Sequence, residues 1–100
     1  MKRRYSITAL CGMGLGTSSI ARMAIMDYLK KRDIDASVTV ADIGSVKGIN
    51  SDVILTTKSM GSHIPSDIAE KSAVLLVTNL IKRDEIEAKL DEFFSTQNAD

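Results

Sequence analysis

The chain has 100 residues, of which 44% are hydrophobic and 26% charged, and this length and composition predict one globular domain. Its 13 basic and 13 acidic residues balance, and it has no tryptophan, so neither overall charge nor aromatic content points to a nucleic-acid partner. The single cysteine cannot form an internal disulfide, which fits a reducing, cytoplasmic compartment.

The first residues, MKRRYSITALCG, combine basic residues, an apolar run and a cysteine, as secretion signals do. The apolar run over residues 5–10 is too short for a signal core, and Leu10 is a poor residue before a lipoprotein-type cysteine. No apolar segment approaches the length of a membrane span. We therefore expect neither a leader nor direct insertion into a membrane.

Four short segments rich in β-branched residues predict strands, and these are residues 5–10, 36–42, 52–57 and 73–79. Their nearly continuous apolar character is typical of strands that are covered on both faces in a parallel sheet. Such a sheet needs crossover segments between its strands, and helical patterns fill the intervals.

Two of these intervals have apolar stripes at helical spacing. The stripe in residues 18–32 consists of Ala21, Ala24, Ile25, Tyr28 and Leu29, and that in residues 84–94 of Ile86, Leu90, Phe93 and Phe94. Asp84 and Glu87 have the spacing of a capping box at the start of the second helix.

The remaining intervals predict shorter elements. Residues 43–51 can hold a turn or two of helix, and residues 58–72 predict a loop and then a short helix after Pro65, a residue that suits the start of a helix. The predicted order of elements is βαβαβαβα, which predicts an open α/β domain with a four-stranded parallel sheet and helices on both faces. We assign it to residues 1–95 and expect a frayed tail at 96–100.

The segment CGMGLGTSS, residues 11–19, joins the first strand to the first helix and predicts a phosphate-binding loop. A helix N-terminus at the end of a strand offers unpaired backbone N–H groups and the positive end of the helix dipole. Glycines let these amides approach an anion, and hydroxyl side chains add donors and a helix cap. The predicted phosphoryl-binding residues are Gly12, Met13, Gly14, Leu15, Gly16, Thr17, Ser18 and Ser19.

Cys11 lies at the mouth of this loop. A cysteine at a strand end is usually inert filler, but the same amides that bind phosphate would stabilise its thiolate and lower its pKa. The pattern therefore favours a nucleophilic thiol that attacks or carries a phosphoryl group.

Two other phosphate-binding classes match the loop less well. A dinucleotide fold requires G-x-G-x-x-G, and the third glycine here is one place early, although Asp42 could take the role of the ribose-binding acid. A cysteine phosphatase loop has arginine after five residues, and that position is Thr17. Without the bidentate arginine, hydrolysis should be poor, whereas a thiol phosphate that is handed on does not need it.

The loop sequence resembles the enzyme IIB component of the bacterial phosphotransferase system for sugar uptake. Its Cys-Gly-x-Gly-x-Gly-Ser/Thr-Ser pattern is most similar to the ascorbate-type IIB proteins, and the galactitol and lactose/cellobiose types are close to it. The segments DVILTTKSMGSHI and VTNLIKRDEIEAKL extend the resemblance over most of the chain.

The resemblance implies that Cys11 accepts a phosphoryl group from a phosphohistidine of a IIA partner. It then passes the group to a sugar-like substrate, ascorbate or an alditol, held by the membrane partner IIC. The implied strand order is 2-1-3-4, with Cys11 between strands one and three and residues 57–63 at the rim. Neither a cofactor nor a metal is implied, and the domain would be cytoplasmic, attached to the membrane through IIC.

Helix geometry adds a candidate docking surface for these partners. Because the apolar stripe faces the core, Met23 and Met26 should face outward beside Arg22, while Met13 and Leu15 project from the loop. The only histidine, His63, is interpreted as an ordinary exposed residue.

Overall fold

The computed structural model describes the backbone of residues 5–11, 15–80 and 82–97. The strands are β1 (Tyr5–Cys11), β2 (Ala36–Asp42), β3 (Val53–Thr57) and β4 (Ala73–Val77). The helices are α1 (Leu15–Arg32), α2 (Lys58–Gly61), α3 (Ser66–Lys71) and α4 (Arg83–Gln97), and a 3-10 helix spans Ile43–Gly48. In this part of the chain, no helix is long and apolar enough to cross a bilayer.

The four strands form one sheet in the order β2-β1-β3-β4, and every neighbouring pair is parallel. The pairs of β1 and β2 run from Tyr5↔Ala36 to Cys11↔Asp42. The predicted parallel sheet and its 2-1-3-4 order are therefore confirmed. The loop expected directly after β1 falls on residues 12–14, which lie outside the described residues.

Alternate residues of the central strands enter two separate apolar clusters, one on each face of the sheet. Ile7 and Ala9 of β1 join the cluster formed with α1 and α4, whereas Leu10 joins the smaller cluster on the other face. The smaller cluster also contains Val46 of the 3-10 helix and Ile68 of α3. Helices thus cover both faces, as predicted.

The two long helices pack their predicted stripes into the larger cluster. The fully or almost fully buried members are Ala21, Ala24, Ile25, Tyr28 and Leu29 of α1 and Ile86, Leu90 and Phe94 of α4. Phe93 is half-buried and meets Tyr5 edge to face, with ring centroids 5.9 Å apart. The stripes are confirmed, with Phe93 at the margin of the core.

Polar contacts join α1 to α4 along the outer side of this cluster. The Tyr28 hydroxyl donates to Asp91 Oδ1 at 2.7 Å, and burial together with this bond raises the pKa of Tyr28 well above its ordinary value. Arg32 reaches the same carboxylate at 2.6 Å, and Arg83 of α4 reaches Asp27 at 2.7 Å. These ion pairs are largely exposed, so each contributes little to stability but helps to align the helices.

The amino edge of the sheet is closed by a network of small polar side chains. The backbone N–H of Ser6 donates to Asp52 Oδ2 and the N–H of Asp52 donates to Ser6 Oγ, each at 3.0 Å. The hydroxyls of Thr8 and Ser51 are hydrogen-bonded to each other, and Ser72 Oγ donates to the Ser51 carbonyl at 2.5 Å. The segment before β3 is thereby tied to β1 and β4.

Two features of the sheet and its crossovers differ from the prediction. Strand β2 is not covered on both faces, because it is an edge strand whose Thr39 and Val40 are exposed. The segment after β3 is not simply a loop, because it begins with α2. A Cβ built on Gly61 of α2 would lie 2.6 Å from Leu76 Cδ2, so glycine permits the close approach to β4.

The helix ends also differ from the prediction. Helix α4 begins at Arg83, so Asp84 lies inside its first turn and the Asp84–Glu87 capping box is wrong. The short helix expected after Pro65 is confirmed, because α3 begins at Ser66. Helix α4 continues to Gln97, two residues into the tail expected at 96–100, and residues 98–100 lie outside the described residues.

Candidate active site

Cys11 is the last residue of β1, at the carboxyl edge of the sheet. Because all four strands are parallel, the other strands end at this edge too, β2 with Asp42 and β3 with Thr57. From β1 the chain crosses to β2 on one side, whereas β3 lies on the other side. The edge between β1 and β3 is therefore the switch point of the fold, where open α/β sheets form their binding crevice.

Helix α1 begins at Leu15, four residues after Cys11 and three before the expected start. Its amino end therefore faces the carboxyl edge of β1, which places the positive end of the helix dipole near Cys11. Thr17, Ser18 and Ser19 lie within the helix, so their predicted role as a cap is wrong. Gly12, Met13 and Gly14, and the side chains of residues 11–18, lie outside the described residues.

On the other side of the switch point, Thr56 of β3 contacts the strand that carries Cys11. Its side chain is completely buried, and its Oγ1 donates to the Leu10 carbonyl at 2.7 Å. Thr56 is not among the site residues predicted from the sequence. The sequence feature that could have indicated it is a threonine hydroxyl in the apolar strand DVILTT, because a buried hydroxyl must find a hydrogen-bond partner.

Residues 57–63, expected at the rim, begin at the same edge. Thr57 accepts the backbone N–H of Met60 on its Oγ1 at 3.3 Å and so caps α2. His63 is exposed in the turn that follows, and its backbone N–H donates to the Met60 carbonyl at 2.9 Å. This agrees with its interpretation as a surface residue, and no described contact directs its ring toward Cys11.

A cleft of about 520 Å³ lies at the end of β4, and its lining residues are Thr78, Lys82, Arg83, Asp84 and Glu85. Glu85 Oε2 accepts the backbone N–H of Thr78 at 2.8 Å, which holds the pKa of Glu85 below its ordinary value. Two acids and two bases line the cleft, so their charges balance and give no preference for phosphate. None of the predicted site residues lies there.

The outward face of α1 is apolar near the site. Met23 is 59% exposed and Met26 is 44% exposed, with the exposed Arg22 beside them, so their predicted outward orientation is confirmed. Ile20, which sequence analysis did not select, is also 45% exposed. The role of this face in docking stays a prediction, and so do the contributions of Met13 and Leu15.

An open parallel sheet with the chain's single cysteine at its switch point defines the class: a small doubly wound α/β domain, and proteins of this class bind ligands at the carboxyl edge of the sheet. A family model described as the lactose/cellobiose-specific IIB subunit of the phosphotransferase system (PTS) matches residues 6–92. The chain belongs to this family. The resemblance seen in the loop sequence is thereby confirmed.

A curated relative gives a second comparison. The chain is similar to the "Ascorbate-specific PTS system EIIB component" of Mycoplasma pneumoniae, with 27% identity over 92 residues, which cover 90% of this chain and 95% of the relative. PTS IIB components act as phosphotransferases in sugar transport and work with IIA and IIC partners. The chain is accordingly a phosphotransferase component of a sugar-uptake system.

Proposed function

We propose that Cys11 is the residue on which this IIB component carries the phosphoryl group. The observation that supports the proposal is the position of the only cysteine, at the end of β1 and at the switch point of a IIB-family fold. Residues at that edge face the amino end of α1, and such an environment lowers the pKa of a thiol. A thiolate there is a nucleophile ready for phosphoryl transfer.

The proposed reaction has two transfers. The Cys11 thiolate attacks the phosphorus of a phosphohistidine on IIA, so that the N–P bond breaks, an S–P bond forms and the histidine takes up a proton. A hydroxyl of the substrate on IIC then attacks the phosphocysteine, which forms an O–P bond, releases the thiolate and frees the hydroxyl proton. Backbone amides of the loop and the dipole of α1 would stabilise the equatorial oxygens in both steps.

The proposed substrate is ascorbate or an alditol. The ascorbate specificity in the relative's name and the pattern of the loop support this choice, whereas the matching family is named for lactose and cellobiose. In the proposal, IIC holds the substrate and the chain supplies only the phosphoryl group, at the cytoplasmic face of the membrane. Transfer from the phosphorylated chain to membranes that contain different IIC proteins, measured for each sugar, tests the substrate.

Incubation with phosphorylated IIA tests the carrier chemistry directly. A carrier gains the mass of one phosphoryl group, becomes resistant to alkylation at Cys11 and releases little free phosphate, because Thr17 stands where a phosphatase would have its arginine. Rapid turnover of an aryl phosphate would support a cysteine phosphatase instead. Tight binding of a nicotinamide or flavin nucleotide would support a nucleotide-binding domain.

We predict that the glycine-rich segment holds the phosphoryl group through backbone amides. Gly14→Val should then block phosphorylation of Cys11, because the added side chain occupies the space in which the amides approach the anion. Ser18→Ala should reduce it only partly, since one neutral donor typically contributes about 0.5–1.5 kcal/mol. The rate of phosphorylation and the thermal unfolding curve are measured for both variants.

The Gly14→Val result counts only if the variant folds like the parent. Equal phosphorylation in Gly14→Val and in the parent would contradict the proposed cradle. A larger loss in Ser18→Ala than in Gly14→Val would assign the binding to the hydroxyl instead of the loop backbone.

We propose the outward face of α1 as the docking surface for IIA. The surface comprises the exposed Arg22, Met23 and Met26 of α1, to which the sequence-based prediction adds Met13 and Leu15. The helix begins beside Cys11, so a protein that covers this face can bring its phosphohistidine to the thiol. Flexible methionine side chains adapt to successive partners, and a brief encounter needs an interface near the low end of about 1,200 Å².

A pair of substitutions that adds negative charge to this surface tests the docking proposal. Met26→Asp with Arg22→Glu should slow phosphotransfer from IIA several-fold and leave the melting temperature nearly unchanged, because both side chains are exposed. The matched control is Ala69→Asp with Lys71→Glu on α3, where two exposed residues on the opposite side of the sheet receive the same changes in charge. Equal slowing in the two double variants would refute docking at α1, as would a large loss of stability.

A further inference from the structure

We infer that Thr56 is a positioning residue for Cys11, because its buried hydroxyl holds the peptide bond that leads into the cysteine. The inference rests on the proposed role of Cys11 as phosphoryl carrier. Thr56 does not itself touch the phosphoryl group in this proposal. It acts through the backbone of β1.

The hydrogen bond joins two completely buried residues at the switch point. Thr56 and Leu10 are both 0% exposed, and Thr56 Oγ1 lies 2.7 Å from the Leu10 carbonyl oxygen. The Leu10 carbonyl belongs to the same planar peptide unit as the nitrogen of Cys11. Holding this oxygen therefore fixes the plane from which the Cα of Cys11 and the following loop depart.

The contact lies where the pairing of the two strands changes. The register of β1 with β3 runs from Ile7↔Val53 to Ala9↔Leu55, although β1 continues to Cys11 and β3 to Thr57. On its other side, β1 stays paired with β2 up to Cys11↔Asp42. The Thr56 hydroxyl thus links β1 to β3 just beyond their last register pair, at the carboxyl edge of the sheet.

The hydrogen bond to the Leu10 carbonyl explains why position 56 is a threonine. Threonine and valine have nearly the same shape and both favour strands, so burial of a threonine at this place is explained only by its hydroxyl. A buried hydroxyl without a partner is costly, and this one donates to a single backbone carbonyl. The hydrogen bond is therefore the reason for the polar group.

Thr8 offers a matched control within the same sheet. It is 3% exposed and, by strand alternation, lies on the same face of the sheet as Leu10 and Thr56. Its hydroxyl bonds with that of Ser51, which precedes β3 at the amino edge. Thr8→Val and Thr56→Val thus each remove one buried hydroxyl from neighbouring strands, and only the second contact adjoins Cys11.

The test is single-turnover phosphorylation by phosphorylated IIA over a range of IIA concentrations. Thr56→Val should lower the maximal rate by about two- to tenfold, the rate equivalent of one hydrogen bond, and leave the half-saturating concentration of IIA unchanged. Thr56→Ser, which keeps the hydroxyl, should restore the rate. Thr8→Val should transfer phosphate at the parental rate.

Two additional comparisons keep the outcome decisive. Should Thr56→Val not fold, Thr56→Ser and Thr56→Ala are compared instead, because they differ only in the hydroxyl. A parental rate in the variants that lack the Thr56 hydroxyl, or an equal loss in Thr8→Val, overturns the positioning role while the role of Cys11 stands. Phosphorylation that persists in Cys11→Ser overturns the proposed function itself.

Discussion

Cys11→Ser is expected to abolish the phosphorylation of this chain by IIA, with a loss on the order of 10³-fold or more in rate. A thiol beside a helix N-terminus can ionise near neutral pH, whereas a serine hydroxyl cannot do so without an adjacent base. The only histidine of the chain, His63, lies exposed in the turn after α2, and we do not expect it to act as that base. The increase in mass after incubation with phosphorylated IIA measures the effect.

A control measurement must show that Cys11→Ser folds like the parent. Cys11→Ser should keep the circular dichroism spectrum of the parent, because the exchange removes no large apolar side chain. The variant should also still compete with the parent for phosphorylated IIA, since docking is proposed to use α1. A phosphorylated Cys11→Ser, with the group found on another residue, would contradict the assignment of the carrier.

Leu90→Ala is expected to lower the free energy of unfolding by about 2–5 kcal/mol. Leu90 is 0% exposed and lies in the larger cluster, where α4 packs against the sheet and α1. Truncation removes buried apolar surface and leaves a cavity that a close-packed core cannot fully fill. Urea denaturation, monitored by circular dichroism, measures the change.

Met23→Ala is the matched surface variant for Leu90→Ala. Because Met23 is 59% exposed, its truncation should change the free energy of unfolding by no more than about 0.5 kcal/mol. A comparable loss in the two variants would mean that the outward face of α1 is covered in solution. Such a result would count against a free docking surface.

The positions of the strands and their parallel arrangement follow from the sequence, because burial imposes a simple pattern. Strands β1 and β3 are covered on both faces, so most of their residues are apolar, and the sequence pattern places β2 at residues 36–42, as the structure does. The two long helices can also be predicted, because Ala21 and Tyr28 of α1 and Leu90 of α4 each belong to an apolar stripe at helical spacing. The strand order, by contrast, came from family resemblance, because parallel strands carry no local signal of their neighbours.

The remaining features depend on contacts between distant parts of the chain. The start of α1 was placed too late because Leu15 and Gly16 carry no cap signal of their own. The exposure of Val40 follows from the edge position of β2, which its β-branched sequence does not reveal. The role of Thr56 depends on a carbonyl 46 residues away, so only the folded chain shows it.

The position of β1 has a consequence for the order of folding. β1 precedes the other three strands in the chain, yet it lies inside the sheet between β2 and β3. Its partners come from residues 36–42 and 53–57, so both of its ladders require the closure of long loops before they gain any stability. On a ribosome, the edge between β1 and β3 beside Cys11 can form only after residue 57 has emerged, so this edge arises together with the sheet.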